Sequence, residues 1–311
     1  MKQGRLAERL AGLGPEQRKL MERLLGANNP RERTQPATFD DEALQSFHSS
    51  ASRTKSGARK FYNAINRQLD ATIFGGYSAF LNYGYVADAS PQMSPVELPA
   101  QTLNRNSVKL VLELIGDCNL AGKRVLDVGC GRGGTLVVVN QFFQPVIRVG
   151  VDLSSAAIAF CGMTHRFPNT FFLEGDAEQL PFPDGAFDVV LNVESSHSYP
   201  EIRSFYSEVK RVLAPSGHFL YTDVFAPERF DAHEDELRRL GFTLEQERDI
   251  TQNVLLSCRE TAGLRLGAFA DMAEQSVIGD FLSTPGSTVF QEMESGRAVY
   301  RILKMTRGCA T

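Results

Sequence analysis

The chain has 311 residues, 33 Lys and Arg against 37 Asp and Glu, a formal charge of −4 and 42% hydrophobic residues. That hydrophobic share excludes a chain disordered throughout, and the slightly acidic balance lacks the basic footprint of a nucleic-acid binder. Five cysteines without CxxC spacing point away from a disulfide framework or zinc site. No window approaches the ~20 apolar residues of a membrane span, and MKQGRLAERLAGLG lacks the apolar core of a signal peptide. The expectation is a cytoplasmic globular protein without membrane insertion.

Charge is unevenly placed: residues 1–60 carry 12 Lys/Arg against 7 Asp/Glu, whereas the other 251 carry 21 against 30. Leucines recur through 5–25, RLAERLAGLGPEQRKLMERLL, with Pro15 where a helix would start and Gly26 where it would end. Two short amphipathic helices are expected there, followed by a polar, turn-rich tether, so that 1–60 form a helical appendage and its tether. Residues 61–117 read as an N-terminal helical lid. It holds FYNAINRQLDATIFGGYSAFL broken at Gly75-Gly76, then LNYGY at 81–85, then a helix over 102–117 with its stripe at Val108, Leu112 and Ile115.

From 118 to 311 strands and helices alternate. Strands are predicted at 124–128, 146–151, 170–174, 187–193, 218–225, 242–250 and 298–306. Helices are predicted near 133–143, 154–163, 200–213, 231–240, 252–283 and 288–296. Continuous apolar strands separated by helices predict an α/β fold around a parallel sheet buried on both faces. The stretch 251–297, with Gly263, Gly267 and Phe269, reads as an inserted lid whose apolar content suits a greasy acceptor or an interdomain contact.

The most informative segment is VLDVGCGRGG, residues 125–134: a buried strand, glycines at 129, 131, 133 and 134, then a helix. With Asp152 downstream it formally satisfies a dinucleotide fingerprint. Asp127 decides between the ligands. A pyrophosphate would set like charges together, whereas a ligand ammonium would gain a charge-assisted hydrogen bond. S-adenosylmethionine has such an ammonium, and Gly129 and Gly131 would let the backbone approach its amino acid end. Asp152 in VGVDLS is placed to accept from both ribose hydroxyls, and Asp176-Ala177 in EGDAEQLPF to meet the adenine, with Leu153 or Ala177 against the ring. Asn192 and Tyr85 complete the candidate donor contacts. The three acids end three successive strands at the carboxyl edge of the sheet, where such folds bind ligands.

VLDVGCGRGG, GVDLS, GDAEQLPFPDGAFDVV and VLAPSGHFLYTDV, in that order, resemble the class I S-adenosylmethionine-dependent methyltransferases. The resemblance implies a Rossmann-like, seven-stranded sheet ordered 3-2-1-4-5-7-6 with an antiparallel last strand, the role that AVYRILKMT suits. Residues 5–25 also resemble the inter-domain linkers of nonribosomal peptide and polyketide synthases. LNYGY resembles the N-x-GY-W segment of sterol, glycolipid and polyketide-type methyltransferases, with Val86 in place of the tryptophan; this sets Tyr83 and Tyr85 against donor or acceptor.

An oxygen acceptor benefits from losing its proton, which calls for a base near the fourth and fifth strand ends. His197, in NVESSHSYP just beyond the fourth strand, is the candidate. Asp223 is the favoured carboxylate to orient its imidazole, with Glu194 as the other candidate partner. Such pairing resembles O-methyltransferases acting on sugars and polyketides. His218 reads as structural, while His48, His165 and His233 fall in the tether or on predicted helix surfaces. No metal is expected, because no second acidic cluster accompanies Asp223 and Asn192. NVESSHSYP also lacks the Asn/Asp-Pro-Pro-aromatic motif of DNA methyltransferases. The resulting expectation is an O-methyltransferase of a polyketide-type hydroxyl. Its partners would be a small-molecule or acyl-carrier-protein-bound substrate and neighbouring synthase domains. The alternative is a C- or N-methyltransferase of a lipid, sterol or indole-type metabolite.

Overall fold

The structure, a computed structural model, describes residues 54–71, 79–88, 93–94, 96–267 and 279–308. The amphipathic run at 5–25, most of the tether, His48, Gly75-Gly76 and Phe269 lie outside the described residues.

Seven strands form one sheet: β1 (Arg124–Val128), β2 (Ile147–Asp152), β3 (Thr170–Glu174), β4 (Phe187–Val193), β5 (Leu213–Phe225), β6 (Phe242–Asp249) and β7 (Val299–Arg307). Their order is β3-β2-β1-β4-β5-β7-β6, as the resemblance implies. The first five run parallel, and β7 runs antiparallel to both β5 and β6. Val125, Leu126 and Val128 are buried because helices cover both faces. The fifth strand begins at Leu213, ahead of the expected 218. Leu213 pairs with Phe187, and a register irregularity between Phe187 and Val189 accommodates the Ala214-Pro215 step.

The helices are α1 (Lys55–Ala71), α2 (Arg105–Ile115), α3 (Gly134–Phe142), α4 (Ser155–Thr164), α5 (Ile202–Val212), α6 (Pro227–Arg239), α7 (Thr251–Gly267) and α8 (Thr288–Glu294). One core packs α5 and α6 against the sheet through Phe205, Tyr206, Val209 and Phe230. On the other face, α2, α3, α7 and α8 contribute Leu112, Val138, Val254 and Phe290. Each such Val, Leu or Phe contributes roughly 1.5–3 kcal/mol on burial.

Three expectations change. First, α1 starts at Lys55, inside the stretch read as tether, because Ala58, Phe61, Ile65 and Leu69 recur at helical spacing and bury one face. Second, α2 is buried from Ser107 to Ile115 rather than along one stripe; Arg248 on β6 reaches its Glu113 at 2.9 Å and covers the polar side. Third, His165 and His233 are not on helix surfaces. His165 is buried with Nε2 2.7 Å from the Arg132 carbonyl, and His233 packs edge-on against Phe225, burial lowering its pKa to about 4. The insert supplies α7 and α8; residues 268–278 between them are not among those described.

Candidate active site

The carboxyl ends of β1 to β5 open onto a cavity of about 450 Å³, roofed by α1, residues 79–83 and the end of the insert. Such a volume falls within the range of small-molecule sites.

The donor half is built on the glycine loop. Gly129 adopts φ +71, and a Cβ there would come within 2.3 Å of Ser195 Oγ and 2.7 Å of the Tyr199 hydroxyl. Only glycine permits both this backbone and that close approach. Gly129 and Gly131 line the cavity together with Asp152, Leu153, Asp176 and Ala177. Asp152 is fixed by two backbone donors, Gly131 N at 2.8 Å and Ser154 N at 2.7 Å. Burial raises its pKa despite those bonds. Asp176 accepts from Glu178 N at 2.9 Å and from Lys55 Nζ at 2.7 Å.

Asp127 stands one layer behind. It does not line the cavity, it is 1% exposed, and neither of its carboxylate oxygens meets a well-formed hydrogen bond, the Thr135 hydroxyl being the donor nearby. Burial first, then the Asp152 charge, push its pKa well above the usual carboxylate range, with the Thr135 hydroxyl opposing them. A buried carboxylate in that condition is costly until a cation or donor reaches it. An ammonium-bearing donor at the glycine loop, with its ribose diol towards Asp152, fits what this chain leaves unsatisfied.

Two other predicted donor contacts sit elsewhere. Asn192 is fully buried beneath the loop, where its amide donates to Val128 O at 2.8 Å and Ser195 Oγ at 2.7 Å; it shapes the wall without lining it. Tyr85 does not reach the cavity either. Gly84 turns the chain at φ +81, Tyr85 N donates to Asn106 O, and the Tyr85 hydroxyl receives Arg248 Nη2 at 3.3 Å. Its neighbour Tyr83 does line the cavity.

The acceptor half centres on His197. The 3₁₀ turn Ser196–Ser198 follows β4, and Asp223 ends the adjacent β5, so sheet register brings them together. His197 Nδ1 lies 2.7 Å from Asp223 Oδ1, and His197 N donates to Oδ2 at 3.1 Å. Ser196 Oγ donates to Oδ2 at 2.6 Å and Val224 N to Oδ1 at 2.8 Å. Because the carboxylate accepts at Nδ1, the proton is assigned there and Nε2 keeps a free lone pair. Asp223 is fully buried, while the His197 side chain keeps 29% exposure and lines the cavity. Burial alone would lower the His197 pKa, but the Asp223 charge and hydrogen bond, with Glu194 beyond, outweigh it and raise it. Burial alone would raise that of Asp223, but the His197 charge and the bonds it accepts hold it below the usual carboxylate value.

Glu194 lines the same half without joining this pair. It stands at φ +46, accepts from Tyr83 N at 2.8 and 3.0 Å, and takes the Tyr300 hydroxyl on Oε1. Its carboxylate clasps residues 82–83 to the sheet.

Sequence reasoning missed the whole inner face of α1. Besides Lys55, Asn63 Oδ1 accepts from Ser154 Oγ and Ala156 N at 2.8 and 3.1 Å. Tyr62 pairs with Ser198 Oγ at 2.6 Å. Arg132, in the glycine loop itself, is buried over the Phe160 ring at 3.4 Å and bonds Asp70 at 2.9 Å. The periodicity of α1 was the available signal, since its polar positions necessarily face something. Among the described residues no group of three or more His, Cys, Asp and Glu could hold a metal ion, and no helix is long and apolar enough to cross a membrane.

Comparison with known proteins follows the same lines. Residues 126–221 match a family described as a methyltransferase domain. The chain is 37% identical over 227 residues to a fatty-acid O-methyltransferase of Mycolicibacterium smegmatis, covering 72% of this chain and 81% of that one. It is 34% identical over 238 residues to a phthiotriol/phenolphthiotriol dimycocerosates methyltransferase of Mycobacterium tuberculosis, covering 73% and 85%. The [4+2]-cyclase SpnF superposes with a TM-score of 0.62 at 21% identity, over 83% of this chain and 97% of that one, a likeness of fold.

Proposed function

The chain belongs to the class I S-adenosylmethionine-dependent methyltransferases, and from that premise we propose that it methylates a hydroxyl oxygen on a polyketide-like or fatty acyl acceptor. The acceptor is a free small molecule or one carried by an acyl carrier protein, delivered by neighbouring synthase domains, and the reaction needs no metal ion. The observation that carries this reading is the His197–Asp223 pair, with its imidazole in the cavity and its carboxylate sealed behind. The acyl character is supported by the fatty-acid O-methyltransferase and the dimycocerosates methyltransferase among its relatives.

Bound S-adenosylmethionine supplies a methyl carbon activated by its sulfonium. The chain supplies position and proton transfer. Asp127 would receive the donor ammonium past the glycines, Asp152 would accept from the ribose hydroxyls and Asp176 from the adenine amino group, and Leu153 and Ala177 would flank the ring. Holding both partners in line accounts for much of the acceleration in such a transfer. His197 Nε2 takes the hydroxyl proton as the oxygen is alkylated, and Asp223 keeps the ring oriented and stabilises the imidazolium. α1 and residues 79–83 exclude water from the reacting atoms.

The test is incubation with labelled donor and a panel of free and carrier-bound hydroxyacyl substrates, with and without EDTA, the methylated atom being located by mass spectrometry. Methyl ethers are expected in both arms. Products methylated only on carbon, nitrogen or carboxylate would overturn the hydroxyl assignment, and loss of activity with EDTA would overturn the metal-free one.

A further inference from the structure

Three cations line the cavity, and two are neutralised where they stand. Lys55 is held by Asp176 and Glu178 at 2.7 and 2.6 Å, and Arg132 by Asp70 at 2.9 Å. The guanidinium of the third, Arg229, forms no hydrogen bond or ion pair among the described residues and lies over the Phe225 ring, 4.8 Å from the centroid. Stacking of that kind fixes the plane of the group and leaves its N–H edge available.

The place of Arg229 is specific. It stands in the first turn of α6, six residues beyond Asp223, so the strand that carries the orienting carboxylate leads directly to it. Its charge acts on the His197 ring. The cavity carboxylates Asp152, Asp176, Glu178, Glu194 and Asp280 are each engaged elsewhere. Glu292 on α8 also faces the cavity but forms no ion pair with Arg229, so no carboxylate of the described chain occupies its N–H edge.

We propose that Arg229 is the recognition group for an anionic head on the acceptor, a carboxylate or a phosphate, held beside the base so that an apolar chain lies along Val224, Phe225, Phe281 and Val289. Guanidinium suits this chemistry because its planar fork matches two oxygens of either anion. The inference rests on the acyl-acceptor reading and adds the end by which the acyl group is grasped. Two sources share the chemistry: the carboxylate of a free fatty acid, and the phosphate of a phosphopantetheine arm.

Binding without turnover tests it. The full chain saturated with S-adenosylhomocysteine is titrated calorimetrically with 3-hydroxydecanoate, its ethyl ester, its phosphopantetheine thioester and its pantetheine thioester. At least one anionic member should bind about 10-fold tighter than its neutral counterpart, and the pair that shows the gap identifies the source. Arg229→Gln should erase the gap and leave the neutral compounds unchanged, and Arg229→Lys should restore part of it. Equal affinities within both wild-type pairs, a gap that survives Arg229→Gln, or no binding of either anion would overturn the proposal. In parallel turnover assays on the pH plateau above the His197 midpoint, where the Arg229 charge no longer sets how much of the base is free, a kcat in Arg229→Gln that falls as far for the ethyl ester as for the anions would also overturn it. If no compound is methylated, the hydroxyl reading falls, while the binding comparison still decides Arg229.

Discussion

The two halves of the cavity are built on opposite plans. In the donor half the charged groups that line the wall are tied down by the chain itself: Asp152 by two backbone donors, Asp176 and Glu178 by Lys55, Arg132 by Asp70. The exception is Asp127, behind the loop and without a well-formed hydrogen bond. Around His197, Arg229 and Glu292 present charge and the imidazole presents its Nε2 to open space, while Asp223, Glu194 and Asp280 are tied. A site for one invariant ligand can be preorganised down to its last hydrogen bond. A site that must take a substrate, move its proton and release a product keeps its polar groups free.

The sharpest way to break that contrast is at Asp127. Replacement by Asn should weaken donor binding by about 100-fold or more, because the ammonium loses the carboxylate that would pair with it in a dry site. The same change should raise the melting temperature of the donor-free protein at neutral pH. A carboxyl whose pKa is raised on folding costs stability as pH climbs from the ordinary carboxylate range through the raised value, and Asn removes that cost. Unchanged donor affinity in calorimetry would move the ammonium site elsewhere.

Next in size, His197→Ala should cost roughly 10²-fold in kcat while the donor Kd stays put. A parallel loss of donor affinity would blur the division between the halves.

Asp223→Asn should cost no more than loss of the imidazole itself and carry a signature in pH. In the wild type the rate should rise with pH through a midpoint above 6.5, since His197 is a base with a raised pKa. Without the carboxylate, burial should prevail and move that midpoint down. A midpoint that stays where it was would detach Asp223 from the imidazole.

The smallest effect belongs to Lys55→Ala. Its ammonium is nearly half exposed, so the loss should be a few-fold in donor KM and negligible in kcat.

The strand ends that carry the proposed donor residues were legible in the sequence, because strands of continuous apolar residues are easy to read. Asp127, the glycines, Asp152 and Asp176 follow from that frame. Arg132 could not be read the same way. An arginine between glycines looks solvent-facing until Phe160 and Asp70, 28 residues after it and 62 before it, fold over it. Tyr85 misled because a positive φ at Gly84 sends it away from the neighbour it resembles. His197 and Asp223 could be paired from sheet order, but Arg229 could not, since an arginine in a charged helix reads as solvated until the cavity is seen.

The buried arginine has one more consequence, for anyone who would move this enzyme into another chain. Arg132 anchors the glycine loop to Asn66 and Asp70 of α1, and Lys55 at the start of that helix closes on Asp176. The smallest portable unit is therefore not the sheet with its own helices. A fusion joint at residue 118 would strand Arg132 in the interior with its counter-charge removed, a loss of several kcal/mol for a buried ion. A joint at residue 61 would amputate the first turns, whose Lys55 reaches Asp176 and Glu178. The joint has to fall upstream of Lys55.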